Sequence, residues 1–255
     1  MGSTSGLRAG SLEPSCRPSA NSISSAPKAF YYSAPECQKH DSSSLIRRSR
    51  PIVVINADVK ARPGLESIKV DNERAARELT SALIARGHQS FAYLSGSGTQ
   101  TNFARRRGCE LELASHSPPL PDLLVFSGGD DQSGFEAGAR ACRHLLEAQL
   151  ERFPTAVICY NDRYALGALS ELQKAKKSIP KDVSVAGFDG LEFTEYCAPQ
   201  LSTVELPRAQ IGRLAVHKLL VLMGVRPPGS DEGELPPLRV QLRGSVGDAP
   251  TESRR

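Results

Sequence analysis

Two apolar runs in this chain end abruptly on polar side chains able to hold a small molecule. AVICY closes on Asn161-Asp162, and VSVAGF closes on Asp189. Continuous apolar runs of this length are expected of strands buried on both faces of a parallel sheet. Between them lies one amphipathic helix, with Ala165, Leu166, Leu169 and Leu172 on one face. In an open α/β sheet, ligands are held in the crevice outside the carboxyl ends of the strands. The arrangement therefore presents an amide and a carboxylate where a polar ligand sits. The competing reading is that Asn161 and Asp189 only satisfy loop backbone groups. Asp162 is expected to cap the helix that follows it.

Other chemistries find less support. The six cysteines (16, 37, 109, 142, 159 and 197) are scattered, with no C-x-x-C pair. Neither a disulfide framework nor a metal site is expected from them. Cys142 and His144 are two apart, a spacing that sends them to opposite sides of a helix; Cys159 reads as a small core hydrophobe. The G-x-S-x-G, G-x-x-x-x-G-K and H-E-x-x-H patterns are absent, so no enzyme is expected. Ser95-Gly96-Ser97-Gly98 is a turn after a strand, weak evidence for phosphate binding. His88 reads as structural. No cofactor is implied.

At 255 residues, 39% hydrophobic and 24% charged, the chain has the composition of a soluble globular protein of one large or two modest domains. It has no apolar run long enough for a membrane span and no secretory signal pattern, so the cytoplasm is the expected compartment. A formal charge of +4 is too mild to indicate nucleic-acid binding by itself. The basic clusters Arg105-Arg106-Arg107 and Arg47, Arg48 and Arg50 read as solvated faces.

The elements that would position Asn161 and Asp189 recur along the chain. IVVIN (52–56) and SIKVD (67–71) read as extended pieces. Asp71-Asn72 supplies helix N-cap chemistry, Ala75, Ala76, Leu79, Ala82 and Leu83 recur at helical spacing, and Gly87 closes the helix. FAYLSG (91–96) precedes a helix over 102–114, and LLVFSGG (123–129) precedes one over 133–150. After AVICY comes the helix 162–176, and after VSVAGF the strand STVEL and a helix from Pro207 to about 223. An acidic loop (229–237), the strand LRVQLRG and a polar tail complete the chain. Strands alternating with helices of this length indicate βαβ crossovers and a parallel sheet. Residues 1–44 differ: 12 are serine, and apolar periodicity is lacking. They are expected to be disordered, whether as a flexible tail, a mis-assigned start or the scar of a lost domain.

The motifs ALIARGHQSFAYLSG, R-x-x-G (Arg105 to Gly108), SGFEAG, TAVICYND, ALGAL, IPKDVSVAGFD and LSTVELP occur in order between Ala82 and Pro207, within a resemblance that runs from near Ile52 to about Gly244. The chain thereby resembles the effector-binding core of the lactose-repressor (LacI/GalR) family of transcription regulators. The resemblance implies a periplasmic-binding-protein-like α/β fold, with two Rossmann-like parallel-sheet subdomains and an effector held between them. The N-terminal subdomain is expected to be incomplete (45–70 with 203–228). The C-terminal one comprises 71–202 with 236–246, and 247–255 forms the tail. The family's helix-turn-helix and hinge helix are not found in this chain.

The same resemblance carries ligand contacts to Arg105, Asn161 and Asp189, with lesser candidates at Asn56 and Thr101. A guanidinium donates two parallel bonds to a carboxylate, a base edge or vicinal hydroxyls. An amide donates and accepts, and a carboxylate accepts two hydroxyl protons. Together they suit a neutral polyol or a purine. The alternative for Arg105 is an ordinary surface arginine. Three features depart from the family: Cys109 replaces an aromatic, Gly190 follows Asp189, and no aromatic platform for a sugar face is identified.

The function implied is effector sensing, for a sugar or nucleobase, in a regulator whose DNA-reading domain is absent from this chain. Implied partners are the effector, a second copy or an intact relative in a dimer, and operator DNA only through the missing domain. No membrane partner is implied. The alternatives are a solute-binding protein of a sugar transporter and a nonfunctional remnant.

Overall fold

The computed structural model describes residues 30–33 (backbone only), 50–57, 59, 62–96, 98–129, 134–229 and 235–250. Nine strands are described: β1 (Phe30–Ser33), β2 (Ile52–Ile55), β3 (Leu65–Ile68), β4 (Phe91–Ser95), β5 (Leu124–Ser127), β6 (Ala156–Cys159), β7 (Ser184–Asp189), β8 (Ser202–Glu205) and β9 (Arg239–Gln241). The helices are α1 (Asn72–Ile84), α2 (Gln100–Ser115), α3 (Gly134–Glu147), α4 (Asp162–Lys174) and α5 (Arg208–Leu222), with a 3-10 turn at Glu192–Glu195.

The larger sheet has six strands in the order β5-β4-β6-β7-β8-β9, all parallel except β9, which runs antiparallel to β8. Its strands carry two cores because successive side chains point to opposite faces. Ala92, Leu94, Val157, Cys159 and Val185 pack against α3 and α4 through Ala141, Leu145, Ala168 and Leu172. Phe91, Tyr93, Ile158, Ala186 and Phe188 pack against α1 and α2 through Ala76, Leu79, Cys109 and Leu113. The central strand β6 is buried along its whole length, which is why its sequence is uninterrupted by polar residues.

Gly108, the glycine of the R-x-x-G motif, sits where α1 and α2 touch. A Cβ there would run into the Glu73 carbonyl oxygen and lie 2.8 Å from the Ala76 Cβ. Only a residue without a side chain lets these two helices pack this closely, and their contact fixes where Arg105 stands.

The smaller sheet is β1-β2-β3, all parallel, with Ile52 opposite Leu65 and Ile55 opposite Ile68. Val53 and Ile68 pack against Ala215, Leu214 and Leu219 of α5. The two-lobed α/β fold matches expectation, with three differences. The second extended piece is Leu65–Ile68 rather than 67–71, because Asp71 turns away to cap α1, its side chain accepting from the Arg74 amide. The segment 1–44 contributes β1, paired with β2, and the rest of that segment lies outside the described residues. Residues 203–205, expected in the small lobe as part of 203–228, belong instead to the large sheet, where Ser202–Glu205 bonds β7 on one side and β9 on the other.

Candidate functional site

Arg105 projects from the second turn of α2 and is 2% exposed, so every donor it carries needs a partner inside the protein. Its Nε donates to Asn72 Oδ1 (2.9 Å), Nη1 to the Tyr160 carbonyl (2.7 Å) and Nη2 to Asp189 Oδ1 (2.9 Å). The guanidinium carbon lies 4.6 Å from the Phe188 ring centroid and 5.7 Å from that of Tyr160. Arg105 is thus no surface arginine. Asn72, Tyr160 and Asp189 stand at the start of α1, just after β6 and at the end of β7, so their shared guanidinium marks the carboxyl ends of the parallel strands.

Asp189 is 27% exposed, which leaves the pair open to solvent on the carboxylate side. Its backbone has φ 107, and Gly190 follows at φ 65. Such a φ is costly for a residue with a side chain and persists only where the surroundings impose it. The departure at position 190 now has a cause. A Cβ on Gly190 would lie 2.9 Å from Glu205 Cα, in a left-handed conformation that glycine adopts freely.

Asn56 joins the same network from the small lobe, and Thr101 of α2 meets it from the large one. Asn56, at φ 57 just beyond β2, accepts at Oδ1 from Asn72 Nδ2 (2.7 Å), and its carbonyl accepts from Thr101 Oγ1 (3.4 Å). Polar contacts therefore run Asn56–Asn72–Arg105–Asp189 from one lobe to the other.

Asn161 is placed differently. Its Oδ1 accepts from the Tyr164 amide at 2.9 Å and caps α4. It bonds neither Arg105 nor Asp189, though its neighbour Tyr160 does supply a carbonyl to Arg105. Its Nδ2 finds no hydrogen-bond partner among the described residues. The cap expected of Asp162 is therefore made by Asn161. Asp162 points inward, fully buried, and accepts from Thr203 Oγ1 (2.6 Å) and the Leu191 amide (2.8 Å). Burial pushes its carboxyl up to about 7, against the pull of those two donors.

Asn72, Phe188 and Arg208 were not anticipated as site residues. The sequence groups Asn72 with Asp71 as cap chemistry for α1, a role that Asp71 fills, and a second polar residue beside a filled cap is the available signal. Arg208 donates from Nη1 to the Asp189 carbonyl (2.6 Å) and from Nη2 to the Gly190 carbonyl (2.7 Å), and nothing in its local sequence announces this.

The site offers a carboxylate oxygen, an amide and a buried guanidinium, a set that binds hydroxyls and ring heteroatoms. A separate cavity of about 350 Å³ lies between Lys69–Ala75, Pro207 and Leu235–Leu238, and none of the five candidate residues lines it. Among the described residues, no group of three or more His, Cys, Asp or Glu side chains is placed to hold a metal. No described helix is long and apolar enough to cross a membrane.

Residues 80–246 match the periplasmic binding protein-like domain. The chain belongs to that family. Within it, the relatives are regulators of the lactose-repressor type. The HTH-type transcriptional repressor CytR of Escherichia coli is 31% identical over 210 residues, covering 82% of this chain and 60% of the repressor. The probable HTH-type repressor ExuR of Bacillus subtilis is 34% identical over 174 residues, or 68% of this chain and 50% of ExuR. The chain thus spans half to three fifths of the length of these relatives. Solved structures agree on the fold. A LacI family regulator from Burkholderia phymatum superposes with a TM-score of 0.71 at 29% identity, covering 85% of this chain and 76% of that one. Another from Enterococcus faecium, with bound ribose, gives 0.68 at 26%, covering 81% and 74%. As a periplasmic binding protein-like domain of the LacI type, the chain corresponds to the effector-binding part of these regulators.

Proposed function

We propose that this domain binds a small polar effector, a sugar or a nucleobase compound, in the crevice floored by Arg105. Asp189 accepts hydroxyl protons, the Asn161 amide donates, and Asn56 closes the opposite wall, with Thr101 bonded to its carbonyl. The observation that carries this reading is the Arg105–Asp189 pair, its guanidinium buried and its carboxylate open to solvent at the carboxyl ends of the strands. Its charges cancel, which favours a neutral polar ligand. The likeness to a regulator holding ribose supports the same class. The role is binding rather than catalysis, in keeping with relatives that are transcriptional regulators, and the compartment is the cytoplasm.

In a longer chain carrying a DNA-reading segment, an effector that prefers one lobe arrangement would shift the balance of the two states and so change operator affinity. The domain pairs with a second copy, or with an intact relative, through an exposed aromatic patch. There Phe135 and Phe193 lie 6.0 Å apart, the Arg163 guanidinium sits 5.9 Å from the Phe135 ring, and Tyr196 is 79% exposed.

Calorimetry with ribose, glucose, cytidine and adenine tests the effector reading, with Asp189→Ala as control. Heat of binding from one of them, lost in the variant, is expected; silence across the panel removes the proposal. Sedimentation of wild type and Tyr196→Glu tests pairing: a dimer that dissociates in the variant is expected, and a monomeric wild type refutes it.

A further inference from the structure

We propose that Arg208 is a positioning residue that ties the small lobe's helix to the Asp189 turn, so that displacement of Asp189 is transmitted directly to α5. The functional meaning of this link rests on the effector reading above; the link itself does not.

Arg208 is the first residue of α5, whose Leu214, Ala215 and Leu219 pack on the small sheet. Its guanidinium reaches back to the large lobe and bonds two consecutive carbonyls, those of Asp189 and Gly190, at 2.6 and 2.7 Å. These two residues have φ 107 and φ 65, a conformation that needs holding. A forked, planar guanidinium suits two adjacent acceptors as an ammonium does not. The Asp189 carbonyl also accepts from the Leu206 amide at 3.5 Å, so β8, α5 and the turn meet at one oxygen.

The turn is thus gripped from both lobes. Arg105 holds the Asp189 carboxylate from α2, and Arg208 holds the same residue's backbone from α5. A ligand that draws Asp189 away from Arg105 by moving the backbone pulls on a turn whose carbonyls are fastened to α5. Either the helix follows, or the Arg208 bonds break. Arg208 needs no ligand contact to act in this way.

Hydrogen exchange of the full chain, without ligand, tests the link. Arg208→Ala is expected to speed exchange of the Gly190 and Leu191 amides by roughly tenfold, the scale of losing charge-assisted hydrogen bonds. Arg208→Lys, which can reach one carbonyl at a time, should fall between. Arg213→Ala, an exposed arginine of the same helix, should leave these amides as in the wild type. In the reverse direction, Asp189→Ala, which removes the acceptor held by Arg105 and frees the turn on that side, should speed exchange in the first turns of α5, at Ile211 and Gly212. The proposal is overturned if Arg208→Ala changes Gly190 and Leu191 no more than Arg213→Ala does. Equal acceleration at Arg208→Ala throughout both sheets, or an unchanged α5 in Asp189→Ala, overturns it as well. None of these arms uses a small molecule, so calorimetric silence leaves this result standing, and failure here leaves the effector reading intact.

Discussion

Arg105 Nη2 lies 2.9 Å from Asp189 Oδ1, joining α2 to the end of β7 across 84 residues of chain. The two ends of this pair are unequal, since the arginine is buried and the aspartate is not. Removing a buried partner strands what it satisfied, whereas removing the exposed one lets water in.

Arg105→Ala should therefore cost about 3–5 kcal/mol, because Asn72 Oδ1 and the Tyr160 carbonyl lose their donors and a void opens beside Phe188. Asp189→Asn should cost only about 1–2 kcal/mol, since Arg105 keeps two bonds and the amide oxygen can still accept. Urea denaturation of the two variants checks the ranking, and equal losses would contradict it.

Asp162 makes stability depend on pH in a stated direction. Its carboxyl rises from the ordinary aspartate range to about 7 because burial disfavours the charge. The folded chain then holds a proton that the unfolded chain releases near pH 4. The contribution is full below that point, declines as pH rises, and is gone above about 7. The slope is at most roughly 1.4 kcal/mol per pH unit. Asp162→Asn keeps an oxygen for Thr203 and removes the titration. The stability difference between wild type and variant should shrink or reverse from pH 4 to 8, and a flat difference would refute the assignment.

The parallel sheet was legible because β6 and the middle of β4 and β7 are buried on both faces and so carry continuous apolar runs. Arg105 and Asp189 were legible as motif residues, but not as partners, since their pairing depends on the α1–α2 contact at Gly108. The cap expected of Asp162 falls to Asn161 because both residue types cap helices. What decides is that Gly187 leaves room for Asp162 to turn inward toward Thr203. STVE was misplaced because a strand's sequence does not say which sheet it joins. Arg208 was invisible because its acceptors are main-chain carbonyls, which leave no trace in residue type.

Two glycines in helices should respond oppositely to a methyl group. At Gly108 the new Cβ meets the Glu73 carbonyl and the Ala76 methyl, so Gly108→Ala should cost about 1–3 kcal/mol despite its better helix propensity. At Gly212, exposed on α5, nothing lies within 4 Å of the new Cβ. Gly212→Ala should therefore stabilise by about 0.5–1 kcal/mol. Thermal melts of the two variants, moving in opposite directions from the wild type, check both.

Asn161 performs one role that the structure displays and one that is proposed, and two substitutions separate them. Its Oδ1 caps α4 through the Tyr164 amide, while its Nδ2 is the donor assigned to the effector. Asn161→Ala removes both and should cost about 1 kcal/mol of stability together with ligand affinity. Asn161→Asp keeps the capping oxygen and adds a favourable charge at the helix N-terminus, so stability should stay within about 0.5 kcal/mol of wild type. The same change deletes the amide donor, so calorimetric binding should weaken by about tenfold, the value of one hydrogen bond. Retained affinity in Asn161→Asp would confine this residue to capping and leave Arg105 and Asp189 to hold the ligand.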